Sequence, residues 1–152
     1  MSRADKAKEY FKAGYTCSQA VALAFADLTE VDEEQLKKLM LPFGGGIGRL
    51  RLTFGAVSGM VAILGLLSSN EATKSDVYRE TQTLCKRFEK ENGSLVCGDL
   101  LTGANLQVMV GGEAEKRTDE YYKKRPCADL VYSSAKILEE YIESKKNKKS
   151  DE

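Results

Sequence analysis

The chain reads as an all-α, single-domain protein, and three observations carry that reading. Only two prolines occur in 152 residues, so little interrupts a helix. Alternation of apolar and polar residues, the mark of a half-buried strand, is scarce. Apolar residues recur instead at helical spacing, in segments opened by capping residues and closed by glycine or proline. The expected architecture is a helical bundle of about five or six helices around a central apolar helix, residues 53–68. Residues 1–144 make up the domain. Residues 145–152, KKNKKSDE, are expected to form a charged, disordered tail.

The elements follow in order. Residues 2–13 form a short amphipathic helix anchored by Tyr10 and Phe11, and Gly14-Tyr15 breaks it. Thr16 and Gln19 have the spacing of a capping box and open a helix that runs to about Leu28. Cys17, Val21, Ala24, Phe25 and Leu28 fall on its inward face. A third helix covers 32–40 and stops at Pro42. Phe43-Gly44-Gly45-Gly46-Ile47-Gly48-Arg49 is a glycine-rich loop. Residues 53–68 are apolar on every side, which suits the middle of a bundle. Their small residues, Gly55, Ser58, Gly59, Ala62 and Gly65, allow close backbone approach. A long amphipathic helix at 71–90 ends at Asn92-Gly93, a left-handed cap. A short helix spans 94–101, and a loop with Gly111-Gly112 follows. Residues 113–124 are charged and fit one further helix. The last helix begins at Pro126, which suits a first helical position, and runs to about Ser144.

Composition narrows the function. Lys and Arg number 23, as do Asp and Glu, so the formal net charge is zero. That disfavours nucleic acid and anionic membranes as partners. The first residues, MSRADKAKEYFKAG, hold no apolar leader, and no apolar run is long enough to span a bilayer. The cytoplasm is the expected location, where structural disulfides are uncommon. The chain has no histidine, which removes Ser-His, Cys-His and His-metal chemistry within one chain.

The candidate chemistry lies in four cysteines. Cys17, Cys97 and Cys127 each fall at a predicted helix start, where the dipole favours a thiolate. They are the candidate catalytic residues. They are also candidate metal ligands, with Cys85 as a fourth, for a thiolate-bound metal or an iron–sulfur cluster. The competing reading is that all pack as small hydrophobes, and it is the better one for Cys85, mid-helix on an apolar face. No CxxC pair occurs. Lys123-Lys124-Arg125 precedes Cys127, either lowering its pKa or simply solvating a helix end. Gly44, Gly45 and Gly46 have two readings. One is an anion or cofactor cradle helped by Arg49 and Arg51. The other, preferred because no nucleotide-binding glycine order is met, is a tight backbone crossing.

These residues also resemble a known family. Gly14 to Val21 (GYTCSQAV), Phe43 to Arg49 (FGGGIGR), Gly55 to Gly59 (GAVSG), Cys97 and Cys127 are similar to the C_GCAxxG_C_C family of redox-active proteins, over roughly Tyr10 to Glu140. The resemblance implies that Cys17, Cys97 and Cys127 match the first, third and fourth motif cysteines. The second motif cysteine belongs immediately before Ala56-Val57-Ser58-Gly59, where this chain has Thr53-Phe54-Gly55. A four-thiolate site would lack that ligand unless Cys85 replaced it.

Two functional classes follow. One is a cytosolic thiol redox or thiolate metal-binding protein, acting with an unidentified redox partner or small molecule. The other is a non-catalytic helical scaffold whose cysteines are structural. The sequence leaves enzyme activity undecided. It leaves a homodimer open, since the small-residue helix suits packing within one chain or across two.

Overall fold

The computed structural model describes residues 1–150, and these are all-α. Among the described residues there are eight helices: α1 (Arg3–Lys12), α2 (Cys17–Leu23), α3 (Glu33–Met40), α4 (Gly55–Leu66), α5 (Lys74–Asn92), α6 (Cys97–Gly103), α7 (Asp119–Lys124) and α8 (Cys127–Ser150). Short 3-10 turns lie at Ala26–Leu28 and Leu41–Phe43. The helices outnumber the five or six expected because several are only two turns long. None is long and apolar enough to cross a membrane.

Local chemistry sets the ends. Thr16 and Gln19 form the capping box read from the sequence. Thr16 N donates to Gln19 Oε1 at 3.0 Å and Gln19 N to Thr16 Oγ1 at 3.1 Å. Ser2 with Asp5 and Thr73 with Asp76 cap α1 and α5 in the same reciprocal way. Gly93, with φ 99°, closes α5 in the left-handed region, as Asn92-Gly93 suggested. The stretch 113–124 is helical only over α7, because Thr118 caps there by accepting from Tyr121 N. The last helix continues to Ser150, past the boundary near Ser144. The tail expected at 145–152 therefore starts inside a helix, and its last two residues lie outside the described residues.

The helix surrounded on all sides is α2, and this corrects the expectation for residues 53–68. Every residue of α2 is buried, enclosed by α1, α3, α4 and α8. Helix α4 buries Ala56, Val57, Gly59, Met60, Ile63 and Leu64 but exposes Leu66. The difference is side-chain size. α2 reads CSQAVAL, so four neighbours can close around it, and its polar members are satisfied. Ser18 Oγ donates to Met40 O at 2.7 Å and Gln19 Nε2 to Lys37 O at 2.9 Å, which pins the end of α3. Ser134 Oγ donates to Ala56 O at 2.7 Å, pinning α8 to α4. A phenylalanine and aliphatic core of Phe11, Phe25, Phe54, Phe88, Met60, Ile63 and Leu138 fills the space between.

One extended pairing matters for the site. Residues 51–54 run against 95–98, with Phe54 N on Leu95 O at 2.8 Å, Cys97 N on Leu52 O at 2.6 Å and Gly98 N on Arg51 O at 3.1 Å. It fixes the start of α6 against the end of the glycine loop.

Candidate functional site

Three cysteines from three helix starts line one cavity of about 290 Å³. Cys17 opens α2 behind the Thr16 cap. Cys97 opens α6 and is held by the extended pairing. Cys127 opens α8. All three are free thiols and nearly buried, with 7%, 3% and 8% of their surface exposed. Cys85 lies on α5, half-buried, and does not line the cavity.

The glycine loop supplies one wall. Gly44–Ile47 makes a single hydrogen-bonded turn, but Gly45 (φ 68°) and Gly46 (φ 74°) are left-handed. Gly46 is also a point of close approach. A Cβ there would lie 2.6 Å from Leu52 N and 2.7 Å from the Cys97 Cβ. Gly44, Gly45 and Gly48 line the cavity, and Gly46 is buried. The loop is thus both the tight crossing preferred from the sequence and a wall of the thiol cavity. Ile47, Arg49 and Arg51 also have positive φ, at 67°, 67° and 61°. Side-chain-bearing residues rarely adopt that conformation, and a β-branched one more rarely still.

Burial governs the thiols. It pushes the Cys17 thiol up, and the Gly45 and Ser18 N–H groups at its sulfur pull down without reversing the shift. It pushes Cys127 up to about 12, and the neighbouring Cys17 and Cys97 add to that. Arg125 and Arg117 offset it only in part. Cys85 is also raised, by burial first and then by Glu89. The expectation of dipole-activated thiolates at the helix starts is therefore corrected for Cys17 and Cys127. Loss of water around the sulfur outweighs the N–H groups at Cys17 and the guanidiniums near Cys127. Cys97 has a distinct neighbour, since Arg51 Nη1 lies 3.8 Å from its sulfur.

Arginines supply most of the charge. Arg49, Arg51, Arg117 and Arg125 all line the cavity, with Glu115 as the one carboxylate. Glu115 pairs with Arg125 directly and with Arg49 and Arg51 at 3.7 and 4.0 Å. Arg117 is occupied elsewhere. It donates to Phe11 O and Tyr15 O at 3.2 Å each, and its guanidinium stacks over Phe11 and Tyr121. Arg49 and Arg51 were visible beside the glycine loop in the sequence. Arg117, Tyr121 and Glu115 were not, because nothing in a charged stretch of uncertain structure says which residues turn inward.

The donor set does not fit a resident metal. No group of three or more Cys, Asp or Glu side chains is placed to share an ion among the described residues. Cys85, the proposed fourth ligand, is outside the cavity, and the surrounding guanidiniums oppose an added cation.

Position 55 completes the geometry. A Cβ on Gly55 would run into Cys17 Sγ and lie 2.8 Å from Phe43 O. Gly55, at the end of the Thr53-Phe54-Gly55 stretch, therefore abuts Cys17.

Comparison with curated proteins and with solved structures finds no match to this chain. The model of the family described as "Putative redox-active protein (C_GCAxxG_C_C)" matches residues 15–141. That span holds the capping box of α2, the glycine loop, position 55 and all three cavity cysteines, and the chain belongs to the C_GCAxxG_C_C family.

Proposed function

We propose that the protein is a thiol–disulfide redox protein in which Cys97 is the attacking thiol and Cys17 or Cys127 resolves. The observation that carries this is the opening of three buried thiols onto a single cavity. Cys97 has the guanidinium of Arg51 donating to its sulfur at 3.8 Å. Burial holds Cys17 and Cys127 as thiols. The resolving thiol gives up its proton as it attacks in the second step. Cys97 releases its proton to solvent and its sulfur attacks one sulfur of a substrate disulfide. The substrate S–S bond breaks, and the first substrate thiolate leaves with the electron pair and takes a proton from solvent. The second cysteine then attacks the Cys97 sulfur, an internal disulfide forms, and the second substrate thiolate leaves. In net terms, the two protons from the protein end on the two product thiols. The protein pair is oxidised and the substrate disulfide reduced.

The near-complete burial of the three sulfurs favours a second reading, cysteines that only pack. One experiment separates the two. The reduced protein is oxidised with a small disulfide, the remaining thiols are alkylated, and the linked peptides are mapped by mass spectrometry. The redox reading expects one disulfide within the trio, Cys85 left free, and no internal disulfide in Cys97→Ala. Four free thiols after oxidation would establish the packing reading.

A further inference from the structure

Resting on the redox reading, we infer that the cavity selects a small anionic disulfide, whose carboxylate, phosphate or sulfonate head is taken by Arg49, Arg51 and Arg125. The first argument is charge. Four guanidiniums line the cavity and a single carboxylate answers them. Arg117 commits its donors to two backbone carbonyls and its face to two aromatic rings. Arg49 and Arg51 each give one donor to a backbone carbonyl, Glu113 O and Met109 O, and with Arg125 they share Glu115 as the one carboxylate of the cavity. These three side chains are only 16%, 8% and 11% exposed, so water screens them little. Buried like charges with too few partners are costly, and an anion relieves that cost.

The second argument is unfilled hydrogen bonding. Arg49 Nε is buried with no partner. Glu115 meets Arg49 and Arg51 only at 3.7 and 4.0 Å and is itself 37% exposed, so it sits towards the rim. A bound oxyanion would supply the acceptors that this one carboxylate does not. Planar guanidiniums match such oxyanions well.

The third argument is size. Sulfurs buried to this degree behind a cavity of about 290 Å³ are out of reach of a disulfide on a folded protein surface. A small molecule can enter. The anionic head then sits among guanidiniums lining the same cavity as the thiols, and its disulfide is presented to Cys97 for the exchange described above.

The test compares three small disulfides of similar size as oxidants of the reduced protein: 3,3′-dithiodipropionate (dianionic), 2-hydroxyethyl disulfide (neutral) and cystamine (dicationic). The expected rate order is anionic, neutral, cationic, with about ten-fold or more between the extremes. Arg49→Gln and Arg125→Gln should collapse that ratio. The urea-unfolded chain should lose or reverse the order. A flat or cation-first order in the folded protein would overturn the inference.

If no disulfide reacts, the redox reading fails, and the anion site is then judged alone. Sulfate replacing chloride at constant ionic strength should raise the Tm of the wild type and of a Cys17→Ser, Cys97→Ser, Cys127→Ser variant. It should not raise that of Arg49→Gln or Arg125→Gln. Equal Tm shifts in all four proteins would sink the anion site whatever the thiols do.

Discussion

At the scale of single residues, Gly55 and Cys127 make the sharpest claims. Gly55 stands directly against Cys17, since a Cβ there meets Cys17 Sγ. Gly55→Cys should therefore cross-link to Cys17 on mild oxidation, seen as a loss of two titratable thiols and a linked peptide. Gly55→Ser, of similar size but unable to cross-link, should destabilise by about 1–3 kcal/mol through overpacking. A cysteine at 55 that stays free on oxidation would show the two positions are not matched for a bond. Cys127 bears on pH. Its thiol moves from 9.0 in the unfolded chain to about 12 when folded. Between those values the unfolded chain has released a proton that the folded chain keeps, so stability falls as pH rises. The slope is ~1.4 kcal/mol per pH unit for such a thiol. Urea denaturation at pH 8 and pH 10 checks this: Cys127→Ala should lose less stability over that step than the wild type. Equal losses would refute it. The positions of Cys17 and Cys127 were legible in the sequence because Thr16 and Pro126 mark helix starts. Their protonation was not, because the field of a helix end is local while desolvation depends on everything packed around the sulfur.

At the scale of elements, the glycine loop and the extended pairing act as one unit. Gly46 must be left-handed and must also let Leu52 N and Cys97 close in on it. Gly48 is left-handed too (φ 54°), but a Cβ there would meet nothing within 4 Å. Gly46→Ala should thus cost about 2–4 kcal/mol, combining strain with overpacking, while Gly48→Ala costs about 1–2 kcal/mol from strain alone. Chemical denaturation of the two variants measures the difference, and equal losses would mean that the close approach at Gly46 carries no weight. Gly46→Ala should also displace Cys97 and slow its modification relative to Gly48→Ala. A run of glycines announced a tight crossing in the sequence, but the pairing of 51–54 with 95–98 did not show there. Only four residues on each side take part, too few for a strand pattern to register. The central helix was misassigned for a related reason. Residues 53–68 are the more apolar stretch, yet CSQAVAL is the one small enough to be enclosed, and its Ser and Gln are satisfied by the carbonyls at the end of α3.

At the scale of the whole molecule, the least regular part of the chain covers the most chemical part. Residues 104–118 hold no helix, yet Gly112, Ala114, Glu115 and Arg117 line the thiol cavity. Arginines hold this cover. Arg51 Nε donates to Met109 O at 2.9 Å, Arg49 to Glu113 O, and Gly111 N donates to Arg49 O at 2.9 Å. Arg117 ties the far end to the C-terminus of α1 and the following turn, bonding Phe11 O and Tyr15 O and stacking between Phe11 and Tyr121. A segment with so little regular structure opens locally at low cost unless side chains hold it. Arg117→Ala removes two hydrogen bonds to backbone carbonyls, a long one to the Tyr122 hydroxyl and the stacking, about 1.5–3 kcal/mol of closure. Each ~1.4 kcal/mol is a factor of ten in the open population, so alkylation of Cys17 and Cys127 by neutral iodoacetamide should speed up roughly 10- to 100-fold. Cys85 serves as the internal control because it lies outside the cavity, on α5. If only the cavity thiols accelerate, Arg117 latches a cover over them. If Cys85 accelerates in step, the variant is unfolding globally, and Arg117 is a strut of the fold, not a latch.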